Sequence, residues 1–395
     1  MITRLRVQNF KSLKDLDLEL GPINVLVGPN MAGKSNIIDV FKFLFDLLHP
    51  SGAQQGLWFA LNTRGSEYDL PWKGSGTGTN YFRISAEGDV EEAPGTLWTY
   101  QLAVSFAPSG MIQIQKEDLR LKRGTEEREL IGDRPGASGS WLKNYDGKEL
   151  AGIPGGDRSV LQARVANWDG DFLAAKIENW RFHQFIPSLM KTPNPTGGGR
   201  VLDRIGSNLS AWLMWIQTYH QEQFAKIVRA ACDLLPGLTK LSTTPTQQGT
   251  VFLSSQELGL QKPVNLWQMS DGEVALLALL SLIYSPPEWA GTLYCIEEPE
   301  SYLYPKLLGA AIRLLRQVRE EAAQSGLPLS QLIIATQSPQ LVDLFSLDEV
   351  IWLQKKEGAT VAIRPRDKQH LRDLVSDKEL GIADIVYSGM LNEPE

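Results

Sequence analysis

The chain has 395 residues, room for one large domain or two ordinary ones, and 43% of them are hydrophobic, enough to fill a core. A formal charge of −7 and a pI near 5.4 disfavour a broad nucleic-acid surface, and two cysteines, Cys232 and Cys295, make neither a disulfide framework nor a zinc spacing. The four histidines are scattered, the first residues read as strand, not as a secretion signal, and the apolar run 274–284 is too short for a bilayer, so a cytoplasmic chain is expected.

Residues 1–20 alternate apolar and polar side chains, "ITRLRVQNF" then "LDLEL", which predicts a hairpin around "KSLKD". The β-branched run Ile23–Val27 predicts a buried strand. Gly28 then opens the pattern Gly28-x4-Gly33-Lys34-Ser35, and an apolar-periodic helix follows to about Leu48. Residues 51–79, rich in Gly, Ser and Thr, read as a long insertion, and strands are expected at 81–88, 97–106 and 111–121, the last two joined by "APSG". Residues 131–158 read as loop and 171–180 as helix.

"TPNPTGGG" at 192–199 marks a break. Beyond it, 207–237 predicts one long helix or two, capped by Ser207 or Asn208 and stopped by Pro236-Gly237. Two strands, "LTKLSTT" and "TVFLSSQEL", precede a helix from about Asp271. A buried strand at 292–298, a helix near 303–324, a second buried strand at 331–337 and a hairpin in "DEVIWLQKKEGATVAIRP" complete the chain.

Four stretches carry chemistry. A glycine turn between a strand and a helix lets backbone N–H groups face a phosphate, with the helix N-terminus adding positive potential. Gly28, Asn30, Gly33, Lys34, Ser35 and Asn36 are therefore candidate nucleotide contacts, with Lys34 reaching the terminal phosphates and Ser35 a candidate Mg²⁺ ligand. "TLYCIEEPE" is an apolar strand ending in acids: Glu297 would hold Mg²⁺ through water and Glu298 would orient or deprotonate the attacking water. Alone, this is also what an ordinary solvated strand end looks like. In "MSDGE", Ser270 and Gly272 begin a strongly apolar helix, as an anion site, as a plain capping box with Glu273, or as both, since the two use the same exposed N–H groups. "ATQSPQLVD" places Gln337 after a buried strand, where α/β sheets bind ligands, although taken alone a strand-to-helix turn with Ser338 as cap explains it better.

The order of these motifs resembles the ABC-type ATPases of the RecF, OLD and SMC group, and more narrowly short bacterial ATPases labelled as AAA-domain proteins. "LRVQNFKSLKDLDLELGPINVLVGPNMAGKSN" is similar to their opening segment, "MSDGE" to their signature, "IEEPESYLYP" to their Walker B and D-loop, and "ATQSPQLVD" to their H-loop. The likeness is good at both ends and weak over 50–260. It implies an α/β P-loop NTPase: an ABC-ATPase head with a mixed sheet, an antiparallel β insertion and a helical lobe. The expected division is a lobe at 1–200, a helical and signature region at 201–290 and a C-terminal lobe at 291–395, together one composite domain. It also implies ATP and Mg²⁺ as cofactors and a C₂ homodimer in which Ser270 and Gly272 of one copy face the γ-phosphate held by Lys34 of the other.

Two departures stand out. The signature carries acids where relatives have Gly and Gln, and Gln337 stands where a switch histidine is usual; glutamine does not titrate near neutral pH. Tyr304 takes a D-loop place often held by histidine, and Gln184 in "WRFHQF" is a weak glutamine-loop candidate. Three functions follow: an ATP-driven switch passing motion to a separate effector, a nuclease or toxin, in genome maintenance or anti-phage defence; a RecF-like DNA repair or loading factor, with basic residues at 120–128 and 363–372; and a nucleotide-binding scaffold with little turnover. A self-contained OLD-type nuclease is not expected, because few residues follow Asp343, and a membrane transporter subunit is not expected either.

Overall fold

Five parallel strands form the middle of the molecule. Along the six-stranded sheet the order is Trp180–His183, Leu293–Glu297, Gln331–Thr336, Ile23–Val27, Val350–Lys356 and Ala359–Ile363, the last antiparallel to its neighbour. The computed structural model describes residues 1–49, 56–65, 69–74, 80–91, 93–106, 112–133, 139–154, 156–163, 165, 168–368, 373 and 380–388. The "APSG" turn and residues 369–372 of the second basic stretch lie outside the described residues.

This sheet is buried on both faces, which is why its strands read as continuous apolar runs. Alternation along each strand divides them between two cores. Leu26, Cys295, Ile333, Ala335, Ile351 and Leu353 face a core shared with helix Lys34–Leu48 and an antiparallel sheet. Val25, Val27, Ile334, Tyr294, Val350 and Trp352 face a core shared with helices Asp271–Ile283, Pro305–Gln324 and the pair Leu209–Tyr219 and Gln221–Leu234. Helix Asp271–Ile283 is buried at every position from Val274 to Ser281, as its unbroken apolar sequence requires.

The eight-stranded antiparallel sheet runs in the order Leu13–Glu19, Ile2–Phe10, Tyr81–Asp89, Thr96–Phe106, Ile112–Arg123, Glu126–Asp133, Gly139–Lys143, Glu149–Pro154. The region 131–158 thus contains strands, not the expected loop. Their sequences are short and glycine-containing, so period-two alternation is hard to see. A four-stranded sheet joins Asn194–Pro195, Thr250–Glu257, Leu238–Pro245 and Val264–Asn265, so the "TPNPTGGG" stretch, read as a break, supplies an edge strand. Asn208 occupies the N-cap position of the first helix beyond it, but its side chain accepts from Asp203 N and donates to Val201 O. Asn194 Oδ1 accepts from Ala211 N instead.

One glutamine ties the antiparallel sheet to the central one. Gln331 is 3% exposed; its Oε1 accepts from Ile2 N (3.0 Å) and its Nε2 donates to Ile2 O (2.7 Å) and Gly21 O (2.8 Å). The side-chain amide thereby stands in for a backbone partner to a strand of the other sheet. Gln331→Leu leaves the Ile2 N–H and C=O buried and unpaired, and a loss of roughly 2–4 kcal/mol in unfolding free energy is expected by urea denaturation.

Candidate nucleotide-binding site

Strands Ile23–Val27, Leu293–Glu297 and Gln331–Thr336 are parallel, so the segments leaving their C-terminal ends share one edge of the sheet. From the first strand leaves the loop Gly28–Gly33. Gly33 has φ 108°, and a Cβ there would lie 2.1 Å from Thr360 Oγ1 and 3.0 Å from Ser12 Oγ. A Cβ on Gly28 would lie 2.2 Å from the Leu353 carbonyl oxygen. Both glycines are required because the protein presses on the outer wall of the loop.

That wall is hydrogen-bonded. Thr360 Oγ1 donates to Ala32 O (2.9 Å), Ser12 Oγ and Thr360 Oγ1 are 2.7 Å apart, and Asn36 Nδ2 donates to Ser12 Oγ (2.7 Å). Asn36, expected among the nucleotide contacts, thus directs its amide into the wall. Helix Lys34–Leu48 begins with no side-chain cap and no acid in its first turn. Its first N–H groups and positive end are left to an outside anion. Asn30 and Met31 are exposed on the loop, and Ser35 is exposed at the helix start. Lys34 is 7% exposed, and its Nζ curls back to donate to Gly28 O (2.6 Å) and Pro29 O (3.1 Å). Burial lowers its pKa, while Glu298 and Glu300 pull it up.

Three acids leave strand Leu293–Glu297, each held differently. Glu297 is buried, and its Oε1 accepts from Lys42 Nζ at 2.6 Å. Glu298 is a non-glycine residue at φ 47°, a strained left-handed conformation of the kind that collects at functional sites. Its backbone N donates to Ala335 O (2.8 Å), and its carboxylate is held only at 3.4 Å by Gln337 Nε2 and 3.5 Å by Ser301 Oγ. Glu300 accepts from Thr336 Oγ1 and, at 3.4 Å, from Gln337 N; burial pushes its carboxyl pKa up against those hydrogen bonds. Glu300 had no assigned role in the sequence reading, although three acids within four residues mark it. Gln337 is exposed, and its carbonyl accepts from Tyr387 Oη (2.7 Å).

Lys34, Glu298 and Gln337 therefore converge at one place, with Glu297 behind them. Ser270 and Gly272 do not join them. They are at the start of helix Asp271–Ile283, where Ser270 Oγ accepts from Glu273 N (3.2 Å) and Glu273 Oε2 accepts from Ser270 N (2.6 Å), a closed capping box. A Cβ on Gly272 would lie 2.9 Å from Tyr302 O. Gln184 is exposed after strand Trp180–His183, its backbone N donating to Arg204 O (2.8 Å). In the first basic stretch two of the four cations are ion-paired: Arg120 with Asp118, Glu127 and Glu129, and Arg128 with Glu126.

A triphosphate and a divalent cation fit these residues. A buried ammonium without a carboxylate partner among the described residues, an uncapped helix start and a glycine-shaped cradle suit the anion; the Ser35 hydroxyl and Glu297 carboxylate are hard oxygen donors of the kind magnesium takes.

Residues 23–343 match the family described as "AAA domain, putative AbiEii toxin, Type IV TA system". The chain belongs to this AAA-domain family. Over 405 residues it is 23% identical to the Old nuclease of Escherichia phage P2, covering 91% of this chain and 60% of that protein. A 51-residue stretch is 45% identical to the OLD nuclease of Thermus scotoductus, covering 13% of this chain and 10% of that protein. The chain thus spans less than two thirds of the length of these relatives. Two solved structures share its fold: an Smc head bound to the C-winged helix domain of ScpA (TM-score 0.55, 15% identity, 93% of this chain and 99% of that one) and an Smc head with an extended coiled coil bound to the C-terminal domain of ScpA from Pyrococcus furiosus (0.56, 14%, 96% and 99%). The AAA-domain chain thus has the fold of these Smc heads. No helix among its described residues is long and apolar enough to cross a membrane.

Beside the acid-bearing strand, His183 is buried, stacks on Tyr294 with 6.1 Å between ring centroids, and places Nδ1 3.2 Å from Asp203 O. Burial lowers its pKa from 6.5 to about 4. Below pH 6.5 the unfolded chain takes up a proton that the folded chain refuses until about pH 4, so His183 erodes stability as pH falls through that window. His183→Gln is expected to remove on the order of 2 kcal/mol from the stability difference between pH 7 and pH 5, read from urea midpoints.

Proposed function

We propose that this chain is an ATP-binding and ATP-hydrolysing switch that closes as a homodimer around two nucleotides. The observation that carries the proposal is the placement of Lys34, Glu298 and Gln337: a buried cation unpaired among the described residues at the mouth of a phosphate-shaped loop, with a strained carboxylate and an amide facing the same space.

Lys34 and the open N–H groups of the loop bind and orient the terminal phosphates. Ser35 and Glu297 would hold magnesium, which when bound neutralises phosphate charge. Glu298 holds a water by hydrogen bond and accepts its proton, and Gln337 Nε2 faces the loosely held Glu298 carboxylate at 3.4 Å. Gln337 donates a hydrogen bond but carries no proton in and out near neutral pH, which supports slow or partner-stimulated turnover.

Ser270 and Gly272 complete the site of a second copy. Met31 is 84% exposed on the phosphate loop, Trp267 49% beside the signature and Tyr304 65% after the acid-bearing segment. Large apolar side chains exposed on three motif segments support a surface that another copy covers. The family's description, with its putative toxin and Type IV TA system, supports a toxin–antitoxin setting for the switch.

Lys34→Ala removes a charge-assisted contact and is expected to weaken ATP binding roughly 10- to 100-fold by calorimetry; unchanged affinity sinks the loop assignment. Glu298→Gln is expected to keep binding while lowering kcat about 10²- to 10⁴-fold and trapping the dimer; normal phosphate release from this variant would name a different base. In light scattering, Ser270→Arg is expected to stay monomeric with ATP while binding it normally. An ATP-dependent dimer of that variant rejects the shared site.

A further inference from the structure

The phosphate-loop helix carries a second lysine that the proposed mechanism does not use. Lys42 follows Ser35 by seven residues, two helical turns, so the two share a helix face. Helical side chains lean toward the N-terminus, which brings the Lys42 ammonium back toward the Ser35 turn. There it meets Glu297. The pair is 2.6 Å apart with side chains 11% and 10% exposed, and Phe182 lies 6.0 Å from the ammonium. Glu297 is the only ion-pair partner of Lys42 among the described residues.

We propose that Lys42 is the resident counter-ion of Glu297, and that it keeps the site closed to a divalent cation until a triphosphate arrives. This rests on the reading of Glu297 as the metal-facing carboxylate. The carboxylate is neutralised inside the protein by this pair. A divalent cation entering alone must displace or sit beside an ammonium, and like charges at that range in a buried setting repel strongly. Magnesium therefore enters as the nucleotide complex, whose phosphates supply the negative charge that Glu297 by itself does not. Lys42 is a positioning residue that acts through the Glu297 carboxylate.

Mn²⁺ binding to the nucleotide-free full-length chain, followed by electron paramagnetic resonance, tests this. Wild type is expected to bind Mn²⁺ weakly. Lys42→Gln keeps a hydrogen-bond donor but removes the charge, and is expected to bind Mn²⁺ roughly ten-fold more tightly or better. MnCl₂ should raise its melting temperature and leave that of wild type unmoved. Lys42→Gln/Glu297→Gln should lose the gain, and Lys42→Arg should behave as wild type. Tight Mn²⁺ binding by wild type without nucleotide overturns the proposal, and this reading needs no variant to fold. So does a Lys42→Gln chain with no gain, or a gain that survives in the double variant. Glu297→Gln assayed with Mn²⁺ and ATP separates the two layers. If it binds the complex as wild type does, the metal-facing reading fails. If its binding weakens while Lys42→Gln shows no gain, only the counter-ion role fails.

Discussion

A phosphate loop works only if its backbone amides point away from the protein, so something other than those amides must hold it in place. Here that hold is a chain of hydroxyl contacts between segments far apart in sequence. Thr360 bonds the Ala32 carbonyl, Ser12 bonds Thr360 across 348 positions of chain, and Asn36 bonds Ser12. Ser12 belongs to the hairpin of the antiparallel sheet and Thr360 to the final hairpin of the central sheet. The loop is thus a joint where two sheets meet, and the Gln331 contact to Ile2 keeps the same two sheets in register at their other end. Moving the loop means moving one of these sheets, which gives a local event at the phosphate site a mechanical route outward.

The charge layout follows a similar economy of position. Three acids leave one strand within four residues, yet their surroundings separate them: Glu297 is neutralised by an internal lysine, Glu300 is hydrogen-bonded and pushed toward protonation by burial, and Glu298 alone is loosely held and conformationally strained. Three free carboxylates there would repel both each other and an incoming triphosphate. With one of the three paired internally, their repulsion of an incoming anion is smaller, and Lys34 and the uncapped helix end favour its binding.

Much of this was legible in the sequence because the relevant signals are local. Buried parallel strands show as apolar runs, a phosphate loop as fixed glycine spacing, and a helix start as Ser270 with Glu273 three residues on. The misreadings came where the deciding partner is distant. Residues 131–158 become strands through pairing with neighbours, not through their own alternation. Asn208 is a good cap by type, but Asp203 and Val201 claim its side chain, and Asn194 from another element serves the helix. Lys42 reads as an ordinary charge on a helix and Thr360 as an ordinary strand residue; only the three-dimensional structure shows that one meets Glu297 and the other supports Gly33. Asn36 sits inside the motif yet faces its back wall.

The two helix starts of the proposed shared site differ in one respect that bears on how the switch would work. Helix Lys34–Leu48 begins uncapped, whereas helix Asp271–Ile283 begins with its serine hydroxyl and its N-cap amide both engaged by Glu273. An uncapped start gains most from an anion; a capped one must first give up its own. On the shared-site reading, the Glu273 carboxylate at 2.6 Å from Ser270 N is an internal anion in the place where a phosphate oxygen of the second copy would bind. Closure then becomes an exchange of one anion for another, and the net gain is the difference between them, not the full strength of a phosphate at a helix end. A glutamine in place of Glu273 would release the cap without moving a charge. On that reading the acidic signature and the non-titrating Gln337 would act in the same direction: both would lower the drive toward a closed, rapidly hydrolysing dimer and leave room for a partner to supply the remainder.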